Sequence, residues 1–368
     1  MNAYLHIPFC ASICSYCDFT SLAGQESRIG SYVSALIREI NSSNLEGPLT
    51  TVYFGGGTPS TLSAIELEKI LIALREKAGF SPEIEISLEA NPETVDLEKL
   101  QGYRDAGVNR LSLGAQAVQK ELLKKLGRGH EWPRVVQAVT EARQAGFSNI
   151  NLDLMFGLSG QSLPMFRESL DQAMELAPEH LSLYALQVEE GTPLSKWVRE
   201  GLALPAEGLV ADQYETAQWI LKITGYEQYE VSNFAKAGFL CRHNWNIWRG
   251  EDYASFGISA VGTINGTRFT HGENLLDYIE KAGGDLPMEK EDLRPETLLF
   301  ERIMLGLRTK DGVEDDLVDK YEIIKKIKIR SRWDAMVASG LLVHSLGRYQ
   351  ATPRGFFVLN GMLEKLIF

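Results

Sequence analysis

Three of the four cysteines in this 368-residue chain, Cys10, Cys14 and Cys17, fall within one stretch of eight residues. Thiolates spaced so closely suit iron-sulfur ligation, whereas a structural zinc site takes four ligands in two pairs. A four-iron cubane held by three cysteines leaves one iron open to a further ligand. Even, dispersed cysteines would have indicated a secreted disulfide scaffold, and this pattern is instead that of a reducing cytoplasm. Cys241 stands alone far along the chain, where packing is the simpler reading.

Other residues complete a candidate site. Gly55-Gly56-Gly57-Thr58-Pro59 leaves a backbone bare of side chains, so a ligand approaches it closely, and it lacks the Gly-Lys-Ser/Thr of a phosphate loop. Glu89, Gln116 and Asp153 each fall at the carboxyl end of a predicted strand, where parallel β/α folds place their chemistry. Downstream, His243 sits in Cys241-Arg242-His243-Asn244-Trp245-Asn246-Ile247-Trp248, an imidazole beside two indoles.

These residues need a scaffold. Short β-rich runs at Ala3–Ile7, Thr51–Phe54, Glu83–Glu89, Arg110–Leu113, Asn149–Leu154 and His180–Leu186 alternate with amphipathic stretches such as Ser27–Asn41 and Ser63–Ala78. Alternation of this kind predicts β-α units, a parallel sheet and an α/β fold with about six units, short of a closed eight-fold barrel. The less regular stretch after Gly201, with a helix near Leu209–Thr224, is expected to close one side of the barrel. From about Leu293 the order is helix, helix, short hairpin (Leu341–Val343, Tyr349–Ala351) and a final helix, which reads as winged-helix-like. The expected domains are residues 1–200, 201–290 and 291–368.

A net charge of −12 argues against general nucleic-acid binding. Lys325, Lys326, Lys328, Arg330 and Arg332 read as a solvated helix face. No stretch approaches the roughly 20 apolar residues of a membrane span, and Met1–Phe9 has no signal-peptide pattern. The expected location is cytoplasmic, with room for peripheral membrane contact.

Cys-x3-Cys-x2-Cys, with Tyr16 before the last cysteine, resembles the radical S-adenosylmethionine superfamily. There the open iron binds the amino and carboxylate groups of the cofactor, and an electron from the [4Fe-4S] cluster cleaves the sulfonium. Over nearly the whole chain the resemblance extends to the oxygen-independent coproporphyrinogen III oxidase family. It implies that Tyr4, Gly56, Glu89 and the backbone near Val261 contact one S-adenosylmethionine. It likewise implies that Tyr16, Gly57, Thr58, Gln116, Arg128 and Asp153 align with positions contacting a second. The implied fold is a partial (β/α)6 barrel with a C-terminal winged-helix-like α+β domain.

Within that family the chain is more similar to the heme chaperone branch than to the oxidases. The oxidases carry another cysteine two residues after the third ligand, where this chain has Asp18 and Phe19 after Cys17. Tyr184-Ala185-Leu186-Gln187-Val188-Glu189-Glu190-Gly191-Thr192-Pro193 and the His243 segment resemble the chaperone pattern. The branch implies His243 as heme-iron ligand, heme as cargo, apo-hemoproteins of respiratory type as recipients, and a homodimer. Ile247 departs from the branch's tyrosine, and Gly257-Ile258-Ser259-Ala260-Val261-Gly262 lacks its histidine. The rival expectation is radical oxidative decarboxylation of coproporphyrinogen III.

Overall fold

The computed structural model describes residues 1–367. Its centre is one sheet in which seven neighbouring strands run parallel. Six follow the expected β-α order: β1 (Asn2–Ile7), β2 (Leu49–Gly56), β3 (Phe80–Ala90), β4 (Arg110–Gln116), β5 (Ile150–Phe156) and β6 (His180–Ala185). Helices α1 (Ile29–Ser42), α2 (Ala64–Ala78), α3 (Leu97–Ala106), α4 (Lys120–Leu126), α5 (Trp132–Gln144) and α6 (Leu163–Glu175) connect them. Local chemistry sets several boundaries: Ser63 and Glu66 form a reciprocal capping box at the start of α2, and Asp96 caps α3.

Residues alternate across the sheet with a period of two. On the helix side, Leu5, Val52, Phe54, Leu88, Leu113, Leu152 and Leu183 join one continuous apolar core. On the inner side lie Asn2, Thr51, Glu85, Ser87, Arg110, Ser112, Asn151, His180 and Ser182, all buried. Buried polar groups require partners, and several of these supply one another's, although Arg110 Nε is left without one among the described residues. Thr51 donates to Asn2 at 2.9 Å, Asn151 to Ser112 at 2.7 Å, and His180 meets Asn151 at 2.6 Å and Tyr229 at 2.8 Å.

The stretch from 201 to 290 extends the sheet at both edges rather than one. After α7 (Pro193–Arg199) and α8 (Glu207–Ile223), strands β7 (Glu227–Gln228) and β8 (Asn233–Ala235) continue antiparallel beyond β6. After α9 (Arg242–Trp248), strand β9 (Tyr253–Phe256) joins the other edge parallel to β1. It is the seventh parallel strand, and the six-unit reading missed it because it spans only four residues and skips the β-α order. The hairpin strands β10 (Val261–Ile264), β11 (Thr267–His271) and β12 (Met288–Asp292) complete that edge, with α10 (Leu275–Lys281) between the last two.

The C-terminal part consists of α11 (Pro295–Gly306), β13 (Val313–Glu314), α12 (Asp315–Lys325), α13 (Arg330–Ala338), β14 (Leu342–Ser345) and β15 (Arg348–Ala351), followed by two short helices. Its antiparallel sheet has the order β13-β15-β14, around fully buried Trp333 and Tyr349. This is the winged-helix-like α+β arrangement the sequence predicts.

A clamp holds the end of β9 against β1. Tyr32 donates to the carbonyl of His6 at 2.7 Å and accepts from the amide of Ile258 at 3.2 Å, while Glu39 accepts from the amide of Gly257 at 3.1 Å. Gly257 has φ +100°, and a Cβ there would fall 2.7 Å from the His6 carbonyl oxygen and closer still to the Tyr32 hydroxyl. Gly257→Ala is expected to cost about 3 kcal/mol of unfolding free energy, from overpacking and backbone strain. Urea titration measures it, and an undiminished midpoint would show that the clamp is dispensable.

Candidate cofactor site

The carboxyl ends of the parallel strands surround a cavity of about 470 Å³. Of the residues singled out in the sequence, Cys10, Cys14, Cys17, Tyr16, Gly56, Gly57, Thr58, Glu89, Gln116, Arg128 and Asp153 all line it. Tyr4 and Val261 do not. The Tyr4 hydroxyl is directed to His6 Nδ1 at 3.2 Å behind Gly55, and Val261 opens β10 at the sheet edge.

The cysteines lie on the irregular segment between β1 and α1, and that segment is tied to its surroundings. His6 Nε2 donates to the carbonyl of Thr20 at 2.9 Å, and the amide of Leu22 donates to Pro8 at 2.7 Å. Midway, the Ser15 amide donates to Leu126 at the end of α4 at 3.0 Å, and the Leu194 amide donates to Ser15 at 2.8 Å. A side-chain chain then crosses the cavity wall. Arg128 donates to Tyr16 Oη at 2.9 Å and to Asn91 Oδ1 at 2.6 Å; Asn91 donates to Thr58 Oγ1 at 3.1 Å, which meets Cys10 Sγ at 3.3 Å. The sequence reading missed Asn91, whose signal was its place directly after a strand end that already held Glu89.

Burial is the main force raising the Cys10 and Cys14 thiols, with Arg128 opposing it electrostatically. Among the described residues no three His, Cys, Asp or Glu side chains already converge as a finished metal site. The donor chemistry nevertheless fits a cluster: three thiols share one anchored loop at the mouth of a cavity, beside a cation that favours thiolate. Gly57 completes the cradle, since a Cβ there would fall 2.7 Å from the Pro8 carbonyl oxygen and 3.0 Å from Cys10 Sγ.

Two carboxylates face the cavity. Burial lifts Glu89 from its ordinary 4.5 to about 7, partly opposed by the Tyr53 hydroxyl, which donates to it at 2.7 Å. Burial also raises Asp153, against hydrogen bonds that include Asn151 at 2.7 Å. Gln116 is held at φ +66° where the β4–β5 register slips, an unusual backbone state for a residue with a side chain. The slip is a bulge that re-aims Gln116 into the cavity.

His243 lies elsewhere, inside the barrel toward the amino ends of the strands. Its amide donates to Glu85 at 3.0 Å, and its ring stacks on Tyr53 with centroids 5.1 Å apart. Thr51 spends its own proton on Asn2, so His243 Nδ1–H donates to Thr51 at 2.8 Å. Nε2 is left bare and buried, with no partner among the described residues. Burial drives the imidazole down to about 3, so it is neutral at physiological pH. This is the tautomer and charge state a metal ligand needs, but at 1% exposure the ring admits no porphyrin in this conformation. Cys241 beside it is fully buried, its thiol pushed up to about 12 by burial, which matches a packing role.

Comparison with known proteins places this geometry. Residues 4–173, a span that holds the cysteine segment and strands β2 to β5, match the Radical SAM superfamily. Coproporphyrinogen III oxidase (HemN) from Escherichia coli superposes with a TM-score of 0.85 over 100% of this chain and 89% of its own, at 21% identity, a likeness of fold. Heme chaperone HemW of Lactococcus lactis is 37% identical over 371 residues, covering 100% of this chain and 97% of that protein. Its counterpart in Synechocystis is 41% identical over 339 residues (89% and 82%), and that of Bacillus subtilis 40% over 328 (87% and 86%). The chain therefore belongs to the HemW heme chaperone family of that superfamily.

Gly57→Ala is expected to push the Cys10 segment away from the cavity wall. Anaerobic iron and sulfide analysis after reconstitution should show cluster content lowered about twofold or more. Wild-type content would show that the close approach of Gly57 is not needed.

Proposed function

We propose that this chain binds heme and passes it to apo-hemoproteins, on a scaffold that also carries a [4Fe-4S] cluster and S-adenosylmethionine. The observation that carries the reading is 37%, 41% and 40% sequence identity to heme chaperones from three bacteria over 87–100% of this chain, whereas likeness to the oxidase is one of fold. Asp18 and Phe19 after Cys17 support it.

Cys10, Cys14 and Cys17 are the cluster ligands in this reading, and Arg128 holds Tyr16 and Asn91 around them. The cluster and S-adenosylmethionine together supply one-electron reductive chemistry at the sulfonium. Glu89 receives the cofactor's cationic end, with Gly56 beside it; Gly57, Thr58, Gln116, Asp153 and Tyr16 shape the remaining wall. Tyr4, behind that wall, and the Val261 backbone, at the sheet edge, are the two proposed contacts that lie off the cavity. Ile13 and Phe19, exposed on the cysteine loop, offer an apolar surface for a second copy of the chain. The recipients are proposed to be respiratory hemoproteins.

His243 is the proposed axial ligand, its bare Nε2 being the supporting feature. A porphyrin reaches it once α9 swings away from β2 and β3. Heme titration should therefore give a Soret band that shifts in His243→Ala with affinity about tenfold lower, and heme should speed hydrogen exchange across Arg242–Trp248. An unchanged spectrum and affinity would remove His243 as ligand. Efficient decarboxylation of coproporphyrinogen by the reconstituted protein would overturn the chaperone reading.

Glu89 gives a pH test. Its pKa is raised, so below about 7 it must lose a proton before it can pair with a cation. S-adenosylmethionine affinity is expected to rise with pH up to about 7, by at most about tenfold per unit, with proton release on binding. The same linkage makes the free protein lose stability as pH climbs from 4.5 toward 7, because the unfolded carboxyl ionises first. Calorimetry in buffers of different ionisation enthalpy measures the release. A release undiminished in Glu89→Gln would assign it to another group.

A further inference from the structure

From the last turn of α12 into the link to α13, six consecutive side chains are exposed: Ile323, Ile324, Lys325, Lys326, Ile327 and Lys328. The isoleucines are exposed by 74%, 45% and 36%, although Tyr321 and Ile329 on either side are buried. The turn is anchored. Lys326 closes α12 in the left-handed region at φ +53°, and the Glu322 carboxylate accepts from the amides of Ile329 at 2.6 Å and Arg330 at 2.8 Å. Its apolar side chains are thus held outward by a fixed backbone.

The charges are equally one-sided. Arg330 is engaged by Asp315 at 3.1 Å and Asp319 at 2.5 Å, and Lys320 by Asp316 at 2.6 Å. Lys325, Lys326 and Lys328 form no ion pair among the described residues, and no acid falls between Ile323 and Ile329, on a chain whose net charge is −12. Three cations and three branched apolar side chains on one turn complement a surface that is anionic outside and apolar beneath. Phosphates of a nucleic acid would engage the lysines alone. An anionic bilayer engages both, lysines among the headgroups and isoleucines at the acyl boundary. No described helix is long and apolar enough to cross a membrane, so attachment would be superficial.

We propose that the Ile323–Lys328 turn is a membrane-contact site that docks this chain on anionic phospholipid surfaces. The site is separate from the cofactor cavity and from His243, and it stands whether or not heme is the cargo.

The test is co-sedimentation of the full-length reconstituted protein with phosphatidylglycerol/phosphatidylcholine vesicles and with phosphatidylcholine alone. Binding is expected only to the anionic vesicles, weakening as salt is raised. Lys325→Glu/Lys326→Glu/Lys328→Glu should lower partitioning by about tenfold or more, and Ile323→Ser/Ile324→Ser/Ile327→Ser should lower it at unchanged salt dependence. Near-ultraviolet circular dichroism and cluster content check that both variants remain folded. Three results would each overturn the proposal. One is no preference for anionic vesicles, and another is binding undiminished in both variants. The third is that the lysine variant loses duplex-DNA binding, or the isoleucine variant loses self-association, with no vesicle binding in the wild type.

Discussion

The segment that carries the three cysteines has no regular structure beyond the two-residue pairing of Phe9–Cys10 with Leu22–Ala23, so its shape is borrowed. The Arg128 guanidinium supplies the closure. By donating to Tyr16 and Asn91 at once, it joins the middle of the loop to the wall that ends at Thr58 and Cys10. A planar fork with fixed donor directions suits this work, and lysine, a point charge, would hold one partner without orienting the other. With that tie in place, the glycines at the end of β2, the bulge at Gln116 and the strand ends bearing Glu89 and Asp153 face a common space.

The sheet makes the tie possible by an unusual division of its two faces. The helix side is apolar throughout, while the inner side is a stack of hydroxyls, amides, carboxylates, imidazoles and one buried arginine. Such a lumen is costly unless each group is matched. Matching fixes side-chain directions far more narrowly than apolar packing does, so it delivers Glu89 and Asp153 to the cavity with defined orientation. His243 Nε2 is among the few inner atoms left unmatched.

Much of this was legible in the sequence. The first six strands follow from alternating β-rich and helical periodicity, and eleven of the residues chosen for the cofactor line one cavity, because strand ends and the loop after the first strand must lie together in a parallel β/α fold. What escaped depends on contacts between distant segments. Strand β9 is too short to announce itself, and Asn91 and Tyr53 act only through partners that the fold brings near. The enclosure of His243 comes from α9 inserting beneath β2 and β3, which local pattern does not encode. The basic run near residue 325 divides in the structure: Arg330 is consumed by Asp315 and Asp319, while the three lysines form no ion pair among the described residues.

Tyr53 has one end in each half of the molecule. Its hydroxyl donates to Glu89 at 2.7 Å, and its ring lies on His243 at 5.1 Å. A rigid phenol cannot tilt at one end and stay still at the other. One side chain therefore spans from the wall of the cofactor cavity to the packed imidazole, and its ring is held from both ends.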